Sequence, residues 1–311
     1  MNIINVIFIF CIILFFYLHI YFHLKTSNDL EIYEIDKPSK DKFEEICDLK
    51  QPVVMNFGNE QLLDICTRNN ILDTYGVFDV KMRNIKNDIT NSNSNSNSNS
   101  KINEDDELYL PMPFSSAIKV IENDSDNKFL VENNSDFLEE TGLIKTYKYN
   151  DSFLRPYMVS NCIYDFIMAS NDTCTPFRYE LNYRNYFLVT EGEIKVKLTP
   201  PKSSRYLYTI KDYENMEFRS PINPWDVQSH YKSDFGKIKC LEITVKKGDI
   251  LFIPAFWWYS IKFNDINTSI STFKYRTYMN NMALFDNFFM KFLQSQNIKR
   301  NVVKTSNISI N

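Results

Sequence analysis

The chain contains 311 residues, of which 44% are hydrophobic and 24% are charged, with 35 Lys and Arg against 39 Asp and Glu. This balance excludes a wholly disordered chain, and the formal net charge of −4 gives no basic footprint for nucleic acid. Only three histidines are present. Because His19 and His23 lie in the apolar N-terminal stretch, a mechanism that needs two histidines in the remaining chain is disfavoured.

Residues 4–24 form the first predicted element, a single-pass transmembrane anchor. From Val6 to Leu24 the chain carries no Asp, Glu, Lys or Arg. A helix of this length rises about 28 Å, close to the ~30 Å hydrocarbon thickness of a bilayer. A cleaved signal peptide is the alternative, but a basic leading region and a small-residue cleavage site are missing. We therefore expect an uncleaved signal-anchor in contact with the lipid bilayer. Lys25 and Lys37 follow it, which favours the cytosolic side for the large domain.

Helices and strands alternate in the next part of the chain. Ser39 is the predicted N-cap of a helix that carries Phe43 and Ile46 on one face. Further elements are predicted by the same signals: strands at 53–55 and 77–82, and helices at 60–68 and 113–121.

A low-complexity tract interrupts these elements. Residues 91–100 alternate strictly between Asn and Ser, and four acidic residues follow at 104–107. Such a tract cannot bury enough apolar surface to offset its ordering entropy. A disordered insertion is therefore predicted at 87–107.

From about residue 179 onward the pattern changes to short strands. Alternating residues at 186–190 and 194–198 flank a Glu-Gly-Glu turn, which predicts a hairpin. Strand patterns recur at 238–245, 250–253 and 269–275, and an aromatic strand ends at residue 263. Several antiparallel strands at this spacing favour a barrel or sandwich. The predicted fold class is therefore mainly β with flanking helices, α+β.

Three separate motifs resemble the JmjC-like cupins, double-stranded β-helix proteins that include Fe(II)- and 2-oxoglutarate-dependent hydroxylases and demethylases. The stretch KKGDILFIPAFWWYSI at 246–261 is similar to the family's strand pair with its Gly-Asp turn and Trp pair. The hairpin at 185–201 resembles a second family segment, and PSKDKFEEICDLKQPVVMN at 38–56 resembles the element that begins these domains. The resemblance covers residues 33–278 and implies a jelly-roll cupin barrel, in which the Asn-Ser tract is an insertion.

The resemblance also implies where an active member would hold iron. The family binds Fe(II) through a His-x-Asp/Glu pair just before the hairpin and a distal His after the Trp pair, a facial triad. Counting back six residues from the hairpin Asn puts Tyr179 and Leu181 at the first two positions. A shift of one residue puts Arg178 and Glu180 there instead. The distal position is Tyr259, and tyrosine with a pKa near ~10 is a poor neutral-pH ligand for Fe(II). The predicted metal site is therefore degenerate.

These replacements predict a vestigial pocket without a metal. Family members often bind the 2-oxoglutarate carboxylate with a lysine two positions after the hairpin glycine, where this chain has Ile194 with Lys195 beside it. The predicted pocket residues are Tyr179, Glu180, Asn185, Lys195, Tyr259 and Lys274. Glu180 and His230 are the weak metal candidates. Because chelation needs three or more convergent ligands, we interpret His230 as a loop histidine among solvated acids.

Residues 281–296 form a predicted amphipathic C-terminal helix, followed by a flexible tail at 297–311. Phe285, Phe288, Phe289 and Phe292 recur there at helical spacing. Two interpretations remain open: a surface for a homodimer or another protein partner, and a helix folded back on its own barrel. Both bury the same apolar stripe.

Together these features predict a membrane-anchored, cupin-like binding or structural module that is catalytically inactive and needs no cofactor. The alternative is a divergent oxygenase of the protein hydroxylase or demethylase type, which would use Fe(II), 2-oxoglutarate and Glu180. The abundance of Asn, Ile and Lys indicates an A+T-rich genome, such as that of a large DNA virus or a protist.

Overall fold

In a computed structural model, the protein is described over residues 3–85 and 109–306, with side chains through residue 296. The predicted insertion at 87–107 lies outside these residues. The strands are β1 (Tyr33–Ile35), β2 (Val53–Asn56), β3 (Asp79–Asn84), β4 (Leu110–Pro113), β5 (Phe129–Val131), β6 (Val159–Ala169), β7 (Arg178–Tyr179), β8 (Arg184–Glu191), β9 (Glu193–Thr199), β10 (Ile210–Asp212), β11 (Glu217–Arg219), β12 (Leu241–Lys246), β13 (Asp249–Phe252), β14 (Trp258–Phe263) and β15 (Ser269–Thr277).

The α-helices flank these strands in the chain. They are α1 (Ile3–Leu24), α2 (Lys40–Cys47), α3 (Glu60–Ile65), α4 (Arg68–Tyr75), α5 (Phe114–Glu122), α6 (Ser135–Glu140), α7 (Ile144–Asn150), α8 (Lys232–Phe235), α9 (Tyr278–Ala283) and α10 (Phe285–Ser306). Two 3-10 helices span Pro201–Tyr206 and Ser229–Tyr231. Ser39 caps α2 as predicted, since its side chain accepts a hydrogen bond from the Lys42 N–H.

Two β-sheets make up the domain. The nine-stranded sheet has the order β1-β2-β13-β8-β15-β6-β5-β3-β4, and the six-stranded sheet has the order β10-β11-β7-β14-β9-β12. The mainly β fold with flanking helices agrees with the sequence prediction and is consistent with a cupin jelly roll. β3 and β4 are antiparallel neighbours, so the described chain on the two sides of residues 86–108 lies in the same sheet.

The predicted hairpin at 185–201 is a connection between the two sheets. β8 pairs with β13 and β15, whereas β9 pairs with β12 and β14. Gly192 makes the turn with φ of +74°, and a Cβ there would lie 2.5 Å from the Thr268 hydroxyl oxygen. Strand alternation was therefore read correctly from the sequence, but the pairing of the two strands with each other was wrong.

Apolar residues fill the space between the sheets and the space between the larger sheet and its helices. Between the sheets, buried residues include Phe187, Val196, Leu251 and Ile270. On the other face of the larger sheet, buried residues include Phe43, Phe114, Phe137, Phe166 and Phe273. Successive residues of a strand point to opposite faces, which is why β6 and β15 contribute to both layers. One end of the barrel has a polar interior instead, and its residues are described with the candidate site.

The last turns of α1 pack against the domain rather than standing free of it. His23 is buried, and its ring meets the Tyr183 ring edge-on at 4.9 Å between centroids. The Lys50 ammonium lies 4.5 Å from the centre of the Phe22 ring. α1 also contacts α9, so the N-terminal helix ends on the same side of the domain as the C-terminal helices.

The C-terminal region departs from the prediction at both of its ends. Helical structure begins at Tyr278, ends at Ala283 and resumes at Phe285. α10 then continues to Ser306, where the sequence predicts a flexible tail from residue 297. Residues 307–311 lie outside the described part of the chain.

Candidate functional site

β7 and β14 are paired strands that bring the implied metal positions together. Tyr259 is the register partner of Arg178, whose guanidinium carbon lies 5.5 Å from the centre of the Tyr259 ring. Glu180 follows directly after β7, and its Oε1 accepts a hydrogen bond from the Tyr259 hydroxyl at 3.1 Å. The structure therefore selects the alignment that is shifted by one residue.

Tyr179 lies on the opposite face of β7. Its ring stacks on Phe218 with centroids 5.0 Å apart and meets Trp258 edge-on at 4.8 Å. Leu181 packs in the same neighbouring apolar cluster as Phe218. Neither side chain contributes to the group formed by Arg178, Glu180 and Tyr259, because alternate residues of an extended segment point to opposite faces.

Lys274 neutralises Glu180. Its Nζ donates a hydrogen bond to Oε1 of Glu180 at 2.8 Å, and the two side chains are 15% and 20% exposed. Burial raises the pKa of Glu180, but the positive charges of Lys274 and Arg178 and the hydrogen bonds outweigh burial and hold the pKa below its usual value. Glu180 is therefore a carboxylate at neutral pH, and a lysine already occupies its Oε1.

Arg178 faces a second buried carboxylate, Glu132. Nη1 of Arg178 donates a hydrogen bond to Oε2 of Glu132 at 2.7 Å. Nε of Arg83 lies 3.0 Å from Oε1 of the same carboxylate, and the Arg83 and Glu132 side chains are 2% and 4% exposed. Burial raises the pKa of Glu132, but Arg178 and Arg83 reverse the effect and hold it at about 2. Two arginines therefore share one carboxylate in a nearly water-free site.

Glu217 and Asp165 extend this group. Nη1 of Arg83 donates to both carboxylate oxygens of Glu217 at 3.1 Å. Asp165 accepts hydrogen bonds from the backbone N–H groups of Asn133 and Asn134, both at 2.7 Å. Burial raises the pKa of Asp165 to about 6, although those hydrogen bonds and Lys274 act in the opposite direction. We call the set of charged residues here the internal charge network: Arg83, Glu132, Asp165, Arg178, Glu180, Glu217 and Lys274.

Asn185 lies beside this network and joins it through Asn182. Its Oδ1 accepts a hydrogen bond from Nδ2 of Asn182 at 3.1 Å, and its own Nδ2 donates to the Ile253 carbonyl at 3.2 Å. Nδ2 of Asn182 also donates to Oε2 of Glu180 at 3.3 Å. Four of the predicted pocket residues are therefore grouped, namely Glu180, Asn185, Tyr259 and Lys274.

Besides Tyr179, two further predicted site residues lie elsewhere. Lys195 is half-buried on β9, where its neighbours Ile194 and Val196 are the residues that point into the core between the sheets. Its placement in the pocket was wrong, because strand alternation turns it to the outer face. His230 is exposed in a 3-10 helix and rests on the Tyr231 ring with centroids 3.9 Å apart. The structure places His230 among surface residues.

An Fe(II) ion does not fit the side chains at the implied positions. Arg178 and Tyr259 stand where the family has histidines, and an arginine side chain offers no lone pair to a metal. Burial raises the pKa of Tyr259 well above its usual value, so its oxygen remains a protonated phenol. Among residues 3–85 and 109–306, no group of three or more His, Cys, Asp or Glu side chains could hold a metal ion.

Sequence reasoning missed the partners that complete the charge network. Arg83 lies in β3, 95 residues before Arg178 in the chain, and Glu132 directly follows β5, 46 residues before it. Arg83 occupies a polar position in an alternating strand, a pattern that equally predicts a solvent-facing residue, and Glu132 directly follows the apolar run Phe129–Val131. Only Arg178 indicated in the sequence that such partners exist, because a buried cation at an implied ligand position requires an anion nearby.

Comparisons with known proteins agree with this architecture. The family model described as a cupin-like domain matches residues 36–281. Over 121 residues the chain is 26% identical to the lysine-specific demethylase JMJ31 of Arabidopsis thaliana. That similarity covers 38% of this chain and 22% of the demethylase, so the chain matches only about a fifth of that relative. Because the family model spans most of the chain, the protein belongs to the cupin-like domain family, of the JmjC type.

Proposed function

We propose that the protein is a membrane-anchored, JmjC-like cupin domain that has lost oxygenase chemistry and serves as a binding or structural module. The observation that carries this proposal is the internal charge network at the implied iron position. Arg178 and Lys274 hold the carboxylates there as internal ion pairs. Because these carboxylates are already paired with cationic side chains, their lone pairs do not converge on a position that a divalent metal could occupy.

Membrane anchoring rests on α1. Within the described residues, one helix, Ile3–Leu24, is long and apolar enough to cross a membrane. A signal sequence meets the same criterion, but the packing of His23 on Tyr183 and of Phe22 near Lys50 favours retention. Removal of α1 would expose this surface, including the buried Lys50 side chain. Mass spectrometry of the protein from alkali-washed membranes tests the point: an intact N-terminal segment is expected, and a mature chain that lacks it would refute anchoring.

One alternative has a specific observation in its favour. The matched relative is named a lysine-specific demethylase, which makes a divergent Fe(II)- and 2-oxoglutarate-dependent oxygenase, with Glu180 as one ligand, the second candidate. Under this alternative, Lys274 and Arg178 would have to release their carboxylates when the metal binds.

One experiment separates the two candidates. The detergent-purified full chain is incubated with Fe(II) and 2-oxoglutarate under air, and bound iron and succinate are measured. We expect neither stoichiometric iron nor succinate above the level of a heat-denatured sample. Stoichiometric Fe(II) together with succinate formation that Glu180→Gln abolishes would overturn the proposal and establish the alternative.

A further inference from the structure

α10 carries its apolar residues on the side that faces away from the domain. Phe285, Phe289 and Phe292 are 67%, 50% and 58% exposed, and Leu293 is exposed beside them. The rings of Phe285 and Phe289 stack on each other with centroids 6.4 Å apart. At 3.6 residues per turn these side chains form one continuous stripe along the helix. Phe285, Phe289 and Phe292 therefore do not pack on the barrel, whereas Phe288, which the sequence places in the same stripe, does.

The opposite face of α10 attaches the helix to the domain, and it is largely polar. Phe288 packs against the cluster that contains Leu181 and Phe218, and the Arg276 guanidinium carbon lies 5.4 Å from its ring centre. Oε1 of Gln294 accepts a hydrogen bond from the Tyr213 backbone N–H at 3.1 Å. α10 is therefore held in place by contacts that leave the phenylalanine stripe outward.

The stripe continues toward the end of α1. α9 contacts α1, and α9 exposes Tyr278 and Met282. The Tyr278 N–H donates a hydrogen bond to the carbonyl of Met158 at 3.3 Å, and Met158 is itself exposed. A band of exposed apolar side chains thus runs from α10 across α9 to the helix that we propose spans the bilayer.

We propose that α9 and α10 lie in the bilayer interface, with the stripe of Phe285, Phe289 and Phe292 inserted among the lipid acyl chains. This inference rests on the proposed anchoring by α1, because α1 sets the side of the domain that meets the membrane. An interfacial amphipathic helix buries its apolar face about 5–10 Å deep at the boundary between headgroups and acyl chains. The exposed Tyr278 side chain, with an apolar ring and a polar hydroxyl, suits that boundary.

Charge favours a lipid surface over a second copy of the chain. The sequence of α10 has one acidic residue, Asp286, against Lys291, Lys299, Arg300 and Lys304. A second copy of this helix offers one acidic residue to four basic ones, whereas anionic headgroups attract Lys and Arg near the membrane surface. The structure thus assigns the stripe to a membrane that contains anionic lipid.

The test is fluorescence quenching in the full chain, reconstituted in vesicles of phosphatidylcholine and phosphatidylserine. Phe289→Trp places a reporter in the stripe. Asn171→Trp is the matched control, because Asn171 is exposed just beyond the far end of β6. β6 has 11 residues and starts beside α9, so it spans about 36 Å at ~3.3 Å per residue. The native tryptophan signal is subtracted by using the unsubstituted protein.

Fluorescence quenching by brominated lipids measures how deep each introduced tryptophan lies in the bilayer. We expect Phe289→Trp to be quenched more strongly by bromines near the headgroup end of the acyl chains than by bromines at the bilayer centre, and Asn171→Trp to be unaffected. An unquenched Phe289→Trp in a chain that resists alkaline extraction would overturn this inference and leave the anchor intact. A chain that washes off the vesicles would overturn the anchor as well. Mutual quenching or crosslinking of two stripes within one particle, without lipid quenching, would identify a dimer surface instead.

Discussion

Glu132→Gln tests whether the internal charge network supports the fold. The substitution preserves the shape of the side chain but removes the negative charge that Arg83 and Arg178 share at 3.0 Å and 2.7 Å. The Arg83 side chain is 2% exposed and that of Arg178 is 14% exposed, so hydration recovers little of the lost interaction. Glu217 still pairs with Arg83, which leaves Arg178 as the main uncompensated cation.

Two independent lines give the magnitude of this effect. Removing one partner of a buried ion pair costs about 3–5 kcal/mol. The pKa of Glu132, lowered from 4.5 to about 2 in the folded protein, corresponds to about 3 kcal/mol at ~1.4 kcal/mol per pH unit. A loss of this size lowers the Tm by about 10 °C, at ~2–4 °C per kcal/mol for a domain of this size.

The assay is thermal and guanidinium unfolding of the wild type and Glu132→Gln between pH 2 and 7. Because the folded pKa lies below the unfolded value, the stabilisation by Glu132 is present above pH 4.5 and is lost as the pH falls toward 2. The difference between the two proteins should therefore shrink on acidification. Lys81→Ala, which removes an exposed pair with Asp136, is the control and should cost about 0–1 kcal/mol. A loss below about 1 kcal/mol in Glu132→Gln at pH 7, well under the range for a buried pair, would refute the reasoning.

Three further predictions concern the site and its turns. Arg178→His combined with Tyr259→His places two imidazoles on register-paired residues beside Glu180. The double variant should therefore bind Co(II), which is measured by its visible absorbance, and neither single variant should bind it. Equal binding by a single variant would contradict the assigned ligand positions. Gly192→Ala should lower the free energy of unfolding more than Gly142→Ala. Both glycines have positive φ, which costs an alanine about 1–2 kcal/mol, but only the Cβ at Gly192 would clash, at 2.5 Å from the Thr268 hydroxyl oxygen. Chemical denaturation measures the difference between the two variants. His230→Ala should change stability by less than about 0.5 kcal/mol, since the ring is exposed; a larger loss, or a change in bound metal, would assign it a role.

Local chemistry made much of the fold predictable. The alternation of β8 and β9, the short apolar run of β13 and the cap at Ser39 follow from side-chain period and hydrogen-bonding capacity, which are properties of neighbouring residues. β6 was missed although it is the longest strand. Its residues from Tyr164 to Ala169 are all buried, because the strand has a helix layer on one face and the second sheet on the other. A run that is buried on both faces, interrupted here by the charged Asp165, lacks the alternation of apolar and polar residues that identifies a strand.

The candidate site was predictable only in part, for a related reason. Tyr259 and the choice between Tyr179 and Arg178 came from counting along one segment, and only the pairing of β7 with β14 resolves which residue faces inward. Arg83 and Glu132 reach the site from β3 and from the residue after β5, which are distant from Arg178 in the chain. Their role depends on which charges meet after folding, and that is decided by sheet topology rather than by sequence spacing.

The antiparallel pairing of β3 with β4 has a practical consequence. The chain leaves the sheet at Asn84 and re-enters it at Leu110, the partner of Met82. The geometry of these two anchor points is set by the sheet and not by the number of residues between them. Doubling the length of a connecting segment costs only about 0.6 kcal/mol of closure entropy. We therefore expect the pairing of β3 with β4 to tolerate an epitope or a fluorescent protein inserted between these two strands.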